Sequence, residues 1–269
     1  MKFCLIDKLQ KNGYTSTSLI TKGENMYGYY KPENGKINVY RFIIENFLNI
    51  CALFMVEPPQ AIVGNIKDLN IQPENRPKYT SVASVTKVRA IDKTTGEKVA
   101  KYFLILDTDT ADLQDLYHKI SAKEFFLALW EVIFHEARHI VQLYLFESDQ
   151  RQLIGLRDIL AIKQLNPDVA SWVQEKMKGC KEEEYKVRRM EFDATVIECL
   201  VYLNFINSMS CDEEVNFNKL CHLLVLNRKE LLEKLDLFVP NQTSDNTLPR
   251  QEFDFTVESE SMLIGLKTT

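Results

Sequence analysis

The sequence predicts an α+β fold, with one small sheet and several buried helices. Three observations carry that expectation. Residues 81–91 and 99–107 are rich in β-formers and flank the turn-like Asp92-Lys93-Thr94-Thr95-Gly96-Glu97-Lys98, so they predict a hairpin. Residues 122–147 are apolar on nearly every side, the pattern of a buried helix. A further helix is predicted over about 182–208.

Along the chain, residues 1–36 are mixed, with Gly13, Gly23, Gly28 and Gly35 marking turns. Ile37 to Val56 is dense in Phe, Ile and Leu and predicts a buried helix that Pro58-Pro59 ends. Its apolar part, Phe47 to Val56, is too short to span a bilayer. Residues 57–80 read as a loop with short extended pieces. Tyr102 to Leu106 is a run expected of a well-covered strand. Asp107 to Asp112 lacks the glycine and terminal glutamate of a calcium loop and reads as helix-capping turn residues.

Ser121-Ala122-Lys123-Glu124 is a capping box that opens the 122–147 helix. Residues 151–178 are helical with a break at Asn166-Pro167-Asp168, where Asn166 or Asp168 can cap. One amphipathic helix is expected near 213–237, then a polar tail with an extended stretch from Phe253 to Ile264. With no internal repeat or low-complexity linker, the chain reads as a single domain over 1–269. Its core lies at about 80–210, with N- and C-terminal extensions.

A chain of 269 residues can bury a large core. The net charge of −5 gives no support for nucleic-acid binding. Cys4, Cys51, Cys180, Cys199, Cys211 and Cys221 are scattered, with no CxxC pair for a structural zinc knuckle; several lie in apolar helical stretches and read as buried free thiols. The N-terminus shows no basic-then-apolar export signal, so a cytoplasmic location is expected. Export of an effector by a dedicated machine would leave no trace in these features. Glu131, Glu136 and Arg138 in the middle of the apolar 122–147 helix argue against a membrane span.

The chemistry is concentrated in that helix. His135, Glu136 and His139 spell HExxH, and two of the chain's four histidines fall in it. On a helix, His135 and His139 are one turn apart on one face, so both imidazoles can meet a single metal ion. Two such ligands on a rigid helix fix half of a zinc tetrahedron. Glu136, carried beside them, can take a proton from attacking water. The bland alternative is a buried helix with two satisfied histidines and an Arg138–Glu136 surface pair.

A catalytic zinc needs a third protein ligand and an open position. The other histidines, His118 and His222, are poorly placed or sit in ordinary surroundings. The 182–208 helix offers Glu191, Asp193 and Glu198. Asp193 turns away from Glu191 by about 200°, and Glu198 lies about 10 Å further along the axis, so these acids cannot share one ion with Glu191. Glu191 sits beside Ala194, whose small side chain allows close helix approach. Its alternative is an ion pair with Arg188, one turn earlier.

HExxH followed by a helical Glu-x-x-Ala resembles the gluzincin branch of the zincin metallopeptidases. The run His135-Glu136-Ala137-Arg138-His139-Ile140-Val141-Gln142 resembles small bacterial and phage proteins of that kind, including relatives of the ImmA/IrrE peptidases. The likeness covers about residues 100–205. It implies a zincin-like core of a small sheet plus an active-site helix. His135, His139 and Glu191 would be ligands of Zn2+, Glu136 the general base, and a protein or peptide the substrate. It also implies a strand beside the active helix, and Tyr102 to Asp107 fits that position. An exposed edge there would take an extended peptide by β-augmentation; the alternative is a central strand with both edges paired. Tyr185, Arg188 and His222 are candidate transition-state donors, Tyr185 foremost. The expected function is zinc-dependent peptide-bond hydrolysis. The alternatives are a non-enzymatic regulatory or partner-binding protein on the same scaffold, or an intracellular toxin or effector protease. An intact Glu136 argues against the first of these, because a purely structural site needs no base.

Overall fold

The computed structural model describes residues 34–54, 60–64, 82–91, 96, 98–107, 111–178, 185–210, 217–240 and 252–256. They form a mostly helical α+β arrangement with a small sheet. The chain divides into two compact units, and among the described residues these comprise 34–126 with 252–256, and 127–240.

The first unit opens with β1 (Lys36–Asn38), which leads directly into α1 (Val39–Ala52). Asn38 makes that switch. Its side chain accepts from the Arg41 backbone N–H at 3.1 Å, satisfying an orphan donor of the first turn, and donates to the Thr256 carbonyl at 3.0 Å. The helix buries Phe42, Ile43, Phe47 and Ile50, as the apolar run predicts. β1 pairs in parallel with β5 (Glu252–Asp254), with Ile37 opposite Phe253. The extended stretch expected from Phe253 is therefore strand at Phe253 and Asp254 and has left the sheet by Phe255 and Thr256; residues 257–264 lie outside the described residues.

A three-stranded sheet is built from β2 (Gln60–Gly64), β3 (Ala83–Ile91) and β4 (Lys98–Asp107). β3 and β4 form the expected antiparallel hairpin, with Ala83 opposite Leu106 and Ile91 opposite Lys98. Gly96 in its turn has φ of 72°, a left-handed conformation that strains other residues. β4 is central, because β2 pairs in parallel with its second edge from Phe103 to Asp107. This overturns the open edge expected at Tyr102 to Asp107: the backbone groups that would receive an extended peptide are already used. β2 is one of the short extended pieces expected within 57–80; its five residues do not specify a partner, and the edge of β4 supplies it.

α2 (Ala111–Lys119) and the start of α3 (Ala122–Leu145) complete the unit. Ser121 and Glu124 cap α3 reciprocally: the Glu124 N–H donates to Ser121 Oγ at 3.2 Å, and the Ser121 N–H to Glu124 Oε2 at 2.8 Å. Tyr117 packs its ring against Phe125, Phe253 and Phe255 at 5.2–5.5 Å, edge-on or tilted, as the aromatic quadrupole prefers.

The second unit is helical. It holds the rest of α3, then α4 (Ile159–Leu165), α5 (Pro167–Lys176), α6 (Tyr185–Ser210), α7 (Phe217–Leu223) and α8 (Arg228–Leu232). Trp130 of α3 contacts the Phe205 ring of α6 at 5.8 Å and the Phe217 ring of α7 at 4.9 Å, joining three helices in one core. Asn166 breaks α4 from α5 as expected. Its oxygen accepts from the Val169 N–H at 3.1 Å, and its amide donates to the Leu235 and Phe238 carbonyls. Among the described residues, the single helix expected near 213–237 is two short α-helices followed by a 3-10 turn at Leu235–Leu237. Asn227 and Glu230 form a capping box that starts α8 afresh, and the chain between α7 and α8 leaves the helical path. No helix among the described residues is long and apolar enough to cross a membrane.

Candidate metal centre

His135 and His139 lie one turn apart on α3, and α6 brings Glu191 against both. The two imidazole Nε2 atoms are 3.1 Å apart. Glu191 Oε2 is 3.3 Å from His135 Nε2, and its Oε1 is 3.3 Å from His139 Nε2. Ligand atoms held about 2.0–2.1 Å from a tetrahedral ion are about 3.3 Å apart, so the three donors fit one divalent ion. Among the described residues, these three side chains are the group that can hold a metal. The Glu191 side chain is 44 % exposed and those of His135 and His139 only 17 % and 10 %, so the cluster opens on the Glu191 side.

Each imidazole is held from behind through its other nitrogen. His135 Nδ1 donates to Glu198 Oε2 at 3.1 Å, and Lys176 of α5 donates to Glu198 Oε1 at 2.8 Å. His139 Nδ1 lies 2.9 Å from Gln142 Oε1. An Nδ1–H on each ring leaves the Nε2 lone pair facing the cluster, the arrangement that orients metal-binding histidines.

The charges explain how the groups titrate. Burial opposes the charge on Glu191, but His139 and His135 beside it hold its carboxyl well below the usual range. Burial likewise opposes a charged His135, yet the Glu191 and Glu198 carboxylates outweigh it and raise the ring well above its ordinary value. His139 is raised by Glu191 in the same way, against its burial. Glu198 is held low against burial by His135 and Lys176, while burial and the like charge of Glu198 push Glu131 upward. Glu136 is buried next to His135 on α3, and its charge is felt by both imidazoles.

Arg138 is not the surface partner of Glu136. It is fully buried and bonds Asp193, also fully buried, through Nε at 2.6 Å and Nη2 at 3.2 Å. Nη1 also donates to the Leu224 carbonyl and Nη2 to the Leu226 carbonyl. Asp193 also accepts from the Ile154 N–H at 3.0 Å.

The sequence-predicted residues His135, His139 and Glu191 are thus brought together, with Glu136 beside them. His118 is exposed on α2 and His222 on α7, and neither joins the cluster. Tyr185 begins α6, but its side chain and that of Arg188 lie outside the described residues. Glu198, Gln142, Lys176 and Asp193 are the supporting residues that motif reading passes over. Glu198 had a usable signal: it shares a helical face with Glu191, about 10 Å along the axis. That separation is too long for one ion, but the His135 ring lies between the two acids and is bonded at both nitrogens. A scan of protein-family models, a search of curated proteins and a search of solved structures each found no match to this chain.

Proposed function

We propose that this protein is a zinc-dependent metallopeptidase of the gluzincin type, built on a zincin-like core, with His135, His139 and Glu191 as ligands and Glu136 as general base. The observation that supports this most is the meeting of Glu191 with both motif imidazoles. A residue from a distant helix completes a three-donor set and leaves one side open, as a catalytic centre needs and a closed structural centre does not. A bound zinc would supply a Lewis acid that polarises the scissile carbonyl and makes water more acidic. Glu198 and Gln142 orient the two imidazoles, so the ligand lone pairs are set before any metal arrives. Glu136 holds the proton taken from the attacking water at its carboxylate and returns it to the amine as the C–N bond breaks. A protein or peptide is the substrate class.

The test is hydrolysis of a mixed fluorogenic peptide library by the purified protein. Activity abolished by a chelator, restored by zinc and absent from Glu136→Gln supports the reading. A zinc-loaded, folded protein that cleaves no member of the library, and no denatured protein substrate, overturns it.

A further inference from the structure

The β3–β4 pair runs on beyond the reach of its third strand. β2 covers β4 only from Phe103 to Asp107, whereas β3 and β4 stay in register from Ala83 opposite Leu106 to Ile91 opposite Lys98. Among the described residues, neither outer edge of 87–91 and 98–102 is paired. These residues therefore form a two-stranded ribbon of five pairs. At the rise of an antiparallel strand it is roughly 17 Å long.

Strand alternation sorts its residues. Lys87, Arg89 and Ile91 share one face, and directly opposite residues share the face of their partners, which adds Tyr102, Ala100 and Lys98. Val88, Ala90, Val99 and Lys101 take the other face. The ribbon holds four cations and no acid, three of the cations on one face, in a chain whose net charge is −5. The charge averaged over the chain conceals this.

Toward the sheet, the same face carries Ala83, Leu104 and Leu106, all buried. Placing ammonium and guanidinium groups against such a core is costly, so the change from Val85 to Lys87 marks where the ribbon leaves it. Lys87 and Tyr102, the first pair beyond, are both part-exposed. Lys87 Nζ stands 5.6 Å from the Tyr102 ring centre, a cation–π contact.

A ribbon whose strands lie about 4.8 Å apart enters the major groove of B-form DNA, which is about 12 Å wide. The deep, narrow major groove of A-form RNA does not admit it. Cations without an acid among them match phosphate charge. A flat lipid surface or an acidic protein would use the same charge, but only a groove also uses the narrowness of the ribbon. From this we infer that residues 87–91 and 98–102 are an arm that docks in the major groove of duplex DNA, with Lys87, Arg89 and Lys98 on the face turned to the duplex. None of these residues belongs to the His135–His139–Glu191 cluster, so the inference stands or falls independently of the metallopeptidase reading.

The test is fluorescence anisotropy of a labelled DNA duplex of mixed sequence, titrated with the full chain. At low salt the Kd should be on the order of 10⁻⁵ M, and affinity should fall about 40-fold between about 50 and about 200 mM salt, the counterion release expected for three phosphates. Arg89→Gln/Lys98→Gln should weaken binding by about 10-fold at low salt and remove about two-thirds of the salt dependence. Lys119→Gln, a change to an exposed cation on α2, should alter neither. Each single variant should show part of the effect, which keeps the test open if the double variant does not fold. Absence of binding at low salt overturns the inference, as do folded variants that bind like the unaltered chain. Equal or tighter binding of A-form duplex RNA, polyglutamate or phosphatidylserine vesicles also overturns it, because the ribbon would then serve a partner of that class.

Discussion

Arg138 and Asp193 meet with neither side chain exposed to solvent, the guanidinium donating to both carboxylate oxygens at 2.6 and 3.2 Å. The pair stands directly behind the His135–His139–Glu191 cluster, because Asp193 also holds Gln142, which in turn holds His139.

Removing one member of a buried ion pair strands the other. Asp193→Ala is expected to destabilise the fold by about 3–5 kcal/mol, since Arg138 would remain buried with no anion. Arg138→Met should do the same from the other side. The double variant should lose less than the sum of the two, read from urea midpoints. Strict additivity would mean the two groups do not act as a pair.

The ligand set makes a graded prediction. His135→Ala, His139→Ala and Glu191→Ala should each lose the bulk of bound zinc and lower the thermal midpoint. Glu198→Gln, which reaches the three-residue cluster only through the back of His135, should weaken zinc by about 10–100-fold and leave the site formed. Elemental analysis after dialysis against a graded chelator series separates these classes. Equal zinc in wild type and both histidine variants would refute the assignment.

Glu136 is assigned to proton transfer and not to coordination. Glu136→Gln should keep fold and metal while lowering turnover by about 10²–10⁴-fold. Loss of zinc in that variant would instead make Glu136 a ligand.

Away from the centre, Asp158 provides a pH test. Burial would raise its carboxyl, but Arg228 at 2.5 Å, the Gly155 N–H at 3.0 Å and nearby Arg157 outweigh it and hold the group below the usual carboxylate range. A depressed folded value means the contribution to stability is complete above the unfolded value of about 3.9. It is then lost as pH falls through the folded value. The stability gap between wild type and Asp158→Asn should therefore be constant near neutral pH and shrink in strongly acidic solution. Chemical denaturation at a series of pH values checks this; a gap that widens toward acid would contradict it.

What the sequence made legible was local. The Ser121–Glu124 capping box, the β3–β4 hairpin around Gly96 and the break at Asn166 depend on neighbours a few residues away, and each is found where the residues predict it. Helical geometry shows that Asp193 and Glu198 cannot share one ion with Glu191, but the choice of Glu191 rests on its neighbour Ala194 and on the resemblance of Glu191-x-x-Ala194 to the gluzincin pattern. The pairings between distant segments were not legible. Whether Arg138 meets Glu136 or Asp193, and whether Lys176 reaches Glu198, depends on how α3, α5 and α6 pack, which no spacing rule contains. The same holds for β2: a short extended piece was expected in 57–80, but not its pairing with β4. The split of the 213–237 stretch had a visible cause in Asn227 and Glu230, but the amphipathic pattern running through them masked it.

That split reaches back to the centre. The turn between α7 and α8 presents the Leu224 and Leu226 carbonyls to Arg138, so the guanidinium reads backbone there and not side chains. Exchanging either leucine for another apolar residue leaves both acceptors in place. Inserting or deleting a single residue between 223 and 227 shifts them and leaves a buried cation short of partners. This turn should consequently be permissive to substitution and intolerant of length change, the reverse of what is usual for a connection between helices.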